Sequence, residues 1–226
     1  NTTIASKLRG GEGTGDLKKV GGGRLTLTGG DNTQYGNIIE GGRLSVSKQE
    51  NLGYGSLTFT GGTLETTDSF EFDNRVTLET DGYFDVAEGT KLTLATEIGG
   101  EGALVKQGAG TLFLTDPTYS MRPDHYAGGT VIEAGILQVE QDDVLGFVAG
   151  PAPRVPGPVD YLPTAVTLDG GTFQTLASFD SSRELKLAST GAVEVAADTT
   201  LGWNGDISGT GPLTKTGAGT MVLGGT

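Results

Sequence analysis

His125 is the one histidine of the chain, and Asp124 beside it and Ser120 nearby are the ingredients of a serine triad. In such a triad a carboxylate orients an imidazole, and the imidazole takes the proton of an attacking hydroxyl. Neither a G-x-S-x-G nor a G-D-S-G context surrounds Ser120. All three residues fall in one short stretch, so a solvated loop is the simpler reading. The turns Gly30-Asp31-Asn32, Asp142-Asp143 and Asp180-Ser181-Ser182 offer carboxylates to calcium, but without the nine-residue recurrence of calcium-binding β-rolls. Blocks of the form G-x-G-x-L look like phosphate cradles, yet a strand pattern follows each one where a helix N-terminus would have to face the phosphate. With no cysteine, disulfides, thiolate metal sites and thiol catalysis are excluded. No catalytic, metal-binding or cofactor-binding residue is assigned, and no cofactor is expected.

The net charge of −13 opposes partners that need clustered Lys and Arg, namely nucleic acid and anionic membrane. There is no apolar run long enough to cross a bilayer as a helix. Nor is there a basic-then-apolar leader at Asn1, so any export signal is expected outside these residues. The abrupt start and the ending Gly224-Gly225-Thr226 read as a piece of something longer.

Glycine supplies 40 of the 226 residues without collagen's every-third spacing, and the reason is a repeat. Residues 13–27, 100–114 and 209–223 align without a gap as G-x-G-x-L-x-K-x-G-x-G-x-(L/M)-x-L, with starts 87 and then 109 residues apart. Ile39-Glu40-Gly41-Gly42 likewise matches Ile132-Glu133-Ala134-Gly135, and Gly61-Gly62-Thr63-Leu64 matches Gly170-Gly171-Thr172-Phe173. The longer second copy resolves into two insertions, about 115–127 and 147–165. The division is therefore one segment over 1–226, with copies at 13–99 and 100–208 and a partial copy at 209–226.

Between the glycines run short alternating stretches such as Arg24-Leu25-Thr26-Leu27 and Lys91-Leu92-Thr93-Leu94. Period two with one apolar face predicts strands packed on a core from one side. The expected core comprises Leu25, Leu27, Leu44, Val46, Leu57, Phe59, Leu64, Val76, Leu78, Leu92, Leu94, Leu112, Leu114, Leu137, Val139, Val166, Leu168, Phe173, Leu185, Leu187, Val193, Val195 and Leu223. The repeated Lys18 or Lys19, Lys106 and Lys215 are expected to face outward and discourage edge pairing. A long repeat of unequal copies suits neither a sandwich nor a closed propeller, but it suits stacked coils that meet only their neighbours. The fold class is therefore all-β: a right-handed, single-stranded parallel β-helix with almost no α-helix.

Residues 100–139 resemble the autotransporter-associated β-strand repeat, also called the passenger-associated transport repeat. The likeness is carried by Gly100-Glu101-Gly102-Ala103-Leu104-Val105-Lys106, Gly108-Ala109-Gly110-Thr111-Leu112, Tyr126-Ala127-Gly128-Gly129-Thr130 and Gly135-Ile136-Leu137-Gln138-Val139. Residues 13–46 match with departures, and 209–226 carry the first half. The resemblance implies a type V secreted passenger of a Gram-negative bacterium, threaded through its own outer-membrane translocator barrel and shown on the cell surface or released outside. A self-stacking stalk that aids its own secretion and folding is the implied role, with adhesion or aggregation as a second. Partners would be the host-cell surface, matrix or glycan, or further copies of the chain. An enzyme is not expected; a polysaccharide-degrading β-helix, or a toxin or immune-evasion passenger, is the alternative on this scaffold.

Specific contacts are expected in the two insertions, because function gathers in loops on rigid scaffolds. Aromatic and Arg side chains anchor interfaces, which selects Tyr119, Arg122, His125 and Tyr126 in the first insertion. Arg154 and Tyr161 are selected in the second.

Overall fold

The alternating stretches form strands that wind into a parallel β-solenoid in a computed structural model, which describes residues 1–6, 8, 15–115, 125–149 and 161–225. Ten parallel strands in its largest sheet define about ten coils. At the usual strand spacing these span roughly 45 Å. Among the described residues strand pairing is parallel except for one antiparallel hairpin, Phe147–Ala149 with Tyr161–Pro163. Among the described residues the only helical turns are two short 3-10 segments, Gln49–Asn51 and Asp142–Val144.

The core is a set of inward columns in which each side chain sits above its counterpart in the previous coil. One column runs Leu25, Leu44, Leu64, Phe84, Lys106, Ile132, Leu168, Leu187 in register. Each buried Leu or Phe in such a column contributes about 1.5–3 kcal/mol of apolar burial. Every expected core residue is buried except Leu25, which is half-buried, and Leu223, which is 58% exposed. Both belong to coils near the ends of the stack, where one covering neighbour is missing or short. The columns also contain Ile39, Phe72, Phe84, Leu104, Ile132, Leu201 and Trp203.

The lysine expectation is overturned. Lys18 does point outward and pairs with Glu40, but Lys19 and Lys106 are buried within the columns. Lys106 stands between Phe84 and Ile132, and its Nζ donates to the carbonyls of Gln107, Gly108 and Ala134 at 2.6, 2.7 and 3.1 Å. Lys19 Nζ does the same with Val20, Gly21 and Gly41 at 2.9, 2.7 and 2.8 Å. Two acceptors come from the lysine's own turn and the third from the next coil. Such charge-assisted bonds are what make a buried ammonium tolerable. Burial nevertheless pulls the Lys106 pKa from 10.5 down to about 8, with the Asp85 carboxylate acting in the opposite sense. Lys215 bonds only the Thr216 and Gly217 carbonyls of its own turn and is exposed. It belongs to the last described coils, so no later coil offers it a third acceptor.

The residue after each cross-coil acceptor must be glycine. Gly42 and Gly135 both have φ of +64°, and a Cβ on either would lie 2.4 Å from a carbonyl oxygen of the coil below. Positive φ and backbone approach together admit no side chain there.

The coils run round three faces with a strand on each, except where the 3-10 turns Gln49–Asn51 and Asp142–Val144 take the third strand's place and in the first coils, which carry two. Asp16–Lys19, Leu104–Gln107 and Leu213–Thr216 are corresponding strands, yet they lie in the five-, ten- and seven-stranded sheets respectively. A repeat is thus a whole number of coils plus one face.

Candidate functional site

The two insertions leave the solenoid side by side, and one buried side chain organises the base of the second. Arg183 precedes the strand Leu185–Leu187, and its side chain is fully enclosed. Its five N–H donors meet five acceptors. Nε donates to Asp142 Oδ1 at 2.9 Å, Nη1 to the Gly146 and Thr164 carbonyls, and Nη2 to the Asp142 and Leu145 carbonyls. The carboxylate of Asp142 supplies the counter-charge, and the guanidinium also lies 4.4 Å from the centre of the Phe147 ring. Gly146 precedes the second insertion and Thr164 stands near its far end, so this one cation closes its neck.

Phe147 carries the connection on to the first insertion. Its ring lies 5.2 Å from that of His125, tilted by 56°, a separation favourable for aromatic pairing. His125 ends the undescribed stretch 116–124, so its stacking fixes where the first insertion rejoins the coil. Together Arg183, Phe147 and His125 tie the bases of both insertions into one rigid corner. The nearby crevice lined by Thr96, Glu97, Ile98, Leu114, Thr115, His125, Asp143 and Val144 holds about 10 Å³, room for about one water. This corner is built to hold loops rather than to enclose a small molecule.

Of the six residues expected to make contacts, His125 is half-buried in the stack just described. Tyr126 is corrected: it is 1% exposed, with its hydroxyl 2.7 Å from Thr130 Oγ1. Burial pushes its hydroxyl pKa upward, opposed by the Thr130 hydrogen bond. It is a core residue and leaves the set of surface anchors. Tyr161 opens the second strand of the hairpin. Tyr119, Arg122 and Arg154 lie outside the described residues, as do Ser120 and Asp124. Among the described residues, no three acidic or histidine side chains converge as a metal site. The Asp142 carboxylate, offered above to calcium, is engaged by Arg183.

Sequence reading missed Arg183, because a lone Arg between Ser182 and Glu184 looks like a surface residue. The signal was its position. It stands where the first repeat has Asn74, immediately before the apolar pair Leu185 and Leu187, in the repeat that gained the insertion.

The sequence model of the passenger-associated-transport-repeat family matches residues 17–46, 104–139 and 213–226. These stretches contain the three repeated lysines. The chain is also 35% identical over 136 residues to the adhesin BmaC autotransporter of Brucella suis biovar 1 (strain 1330). That alignment covers 60% of this chain and 3% of the adhesin. No solved structure matches the chain.

Proposed function

The chain is an autotransporter passenger segment carrying passenger-associated transport repeats, and on that premise we propose that it is a non-enzymatic stalk whose two insertions make adhesive contacts. The single observation behind the adhesive part is the corner where Arg183, Phe147 and His125 hold both insertions together. Loops anchored on a rigid scaffold enter an interface with less ordering cost than free ones. The name of the Brucella relative, an adhesin, supports the same reading. In it the chain sits on the surface of a Gram-negative bacterium, or is released there, after passing its own outer-membrane barrel.

The stalk role is supported by the way the lysines close on neighbouring coils. A coil joining the stack on its N-terminal side brings an ammonium to a carbonyl already presented, as Lys19 meets Gly41 and Lys106 meets Ala134. Each docking event adds apolar burial and a charge-assisted bond together, which favours stepwise growth of a solenoid. Absence of cysteine also suits an unfolded chain crossing the oxidising periplasm.

The test is binding of the 226-residue chain to host cells and to immobilised matrix, beside variants lacking 116–125 or 149–162. The expected result is binding that one or both deletions abolish while far-ultraviolet circular dichroism is unchanged. Binding that survives both deletions overturns the assignment to the insertions. No binding by any form removes the adhesive role and leaves the stalk.

A further inference from the structure

Tyr54 is 76% exposed and Tyr35 is 58% exposed, more than any other described aromatic side chain. They lie on consecutive coils, immediately ahead of the paired strands Gly36–Ile39 and Ser56–Phe59. Beside Tyr54 is an open groove of about 310 Å³, lined by Asp31, Asn32, Gln49, Glu50, Gly53 and Tyr54. That volume is at the lower end of the range for small-ligand sites.

The floor beneath the groove is rigid and polar. Asn32, Gln34, Asn37 and Asn51 are all buried. Asn32 Nδ2 and Gln34 Nε2 donate to the Asn51 carbonyl at 2.8 and 3.1 Å, Asn37 Nδ2 to the Leu52 carbonyl at 2.7 Å, and Asn51 Nδ2 to the Gly29 carbonyl at 2.7 Å. One acceptor in this floor, Gln34 Oε1, is buried with no hydrogen-bond partner and faces Gly53, a wall of the groove.

We propose that this groove binds a neutral saccharide. A sugar ring has an apolar face of C–H bonds and a rim of hydroxyls. Tyr54 offers a flat face to the former, since a tyrosine ring is apolar across its body and polar at its tip. Asp31 and Glu50 are exposed carboxylates that accept from hydroxyls, while the Asn32 amide is committed to the Leu8 N–H and the Asn51 carbonyl, and the Gln49 amide nitrogen donates to Asp73 Oδ1 at 2.6 Å. The same carboxylates repel sialylated or sulfated glycans. Tyr54 aside, every lining group is polar or glycine, which disfavours a protein interface with its apolar centre. The site lies on the first repeat, apart from the insertions, so it adds a ligand class to the adhesive reading without depending on those loops.

The test is an array carrying neutral, sialylated and sulfated oligosaccharides, followed by titration of the best-captured neutral one against the 226-residue chain. Neutral oligosaccharides are expected to be captured, with Tyr54→Ala weakening affinity about tenfold or more and Tyr54→Phe retaining it. Thermal unfolding should be unchanged, because Tyr54 is exposed. Variants lacking 116–125 or 149–162 should bind the array as the parent does, so failure here and failure of the adhesive insertions are read separately. Capture of anionic glycans alone, no capture, or capture indifferent to Tyr54→Ala would each overturn the proposal.

Discussion

The corner around Asn51 and the corner around Arg183 occupy corresponding places in the two repeats and meet the same need with different groups. Each follows a buried valine, Val46 or Val139, contains one 3-10 turn, and has a buried leucine, Leu52 or Leu145. A departure from strand geometry at such a corner leaves carbonyls without ladder partners, and buried carbonyls must find donors. In the first repeat four short amides share the work, and Asn37 serves the Leu52 carbonyl. In the second, Arg183 serves the Leu145 carbonyl and three others. The residue after the following glycine then has two fates: Tyr54 stands in solvent, whereas Phe147 packs between Arg183 and His125. The distributed amide solution leaves an open groove. The single-cation solution ties down inserted chain.

If that contrast is right, the arginine corner fails at one point and the amide corner fails gradually. Arg183→Ala leaves Asp142 unpaired and takes a donor from four carbonyls, of which those of Asp142 and Gly146 keep the Leu145 and Thr164 donors, and should cost about 3–5 kcal/mol in urea unfolding. It should also release the His125 ring, seen as a changed imidazole resonance in NMR. A cost under about 1 kcal/mol would mean that the corner has another support.

Next in size is the pH response of the buried lysine. Folded Lys106 gives up its proton near pH 8, whereas the unfolded chain keeps it to the ordinary 10.5. Between those values the unfolded state binds more protons, so stability from this site rises with pH and is constant below. At about 1.4 kcal/mol per pH unit, the gain of the parent over Lys106→Met between pH 8 and 10.5 is at most about 3.5 kcal/mol. Parallel stability curves for the two proteins over that interval would contradict a depressed lysine.

Asn51→Ala removes one donor and one acceptor from a shared network, so about 1–3 kcal/mol is expected in the same urea assay. A cost equal to that of Arg183→Ala would erase the distinction between the corners. Smallest is Lys215→Met. Its exposed side chain meets only two carbonyls of its own turn, and the expected change in melting is under about 0.5 kcal/mol. That contrasts with Lys106, whose loss also unlinks Ala134.

The stacking of the coils was legible because period two is a backbone property: Leu112 and Leu114 must share a face whatever surrounds them. The same rule held the answer for the lysines. In Leu104-Val105-Lys106 the lysine stands two residues after an inward leucine, so parity put it inside. The general habit of charged residues to face water argued the other way. Parity prevailed because turn carbonyls close by satisfy the ammonium. Those carbonyls are made available by the left-handed glycines, and pattern alone does not show where a turn aims its oxygens. Tyr126 misled for a related reason. A tyrosine beside an insertion looks like an anchor, but its Thr130 partner and its burial appear only when coils are stacked. Arg183 and Asp142 are 41 residues apart, a separation at which sequence carries no direct sign of contact.

The three lysine-bearing strands fall on three different faces of the rod, so equivalent features of successive repeats look out along different bearings. The Asn51 corner and the Arg183 corner are turned from each other by about a third of a revolution about the long axis, since the repeat is a whole number of coils plus one face. A passenger assembled from such units needs no bend and no flexible joint to present its decorations all the way round.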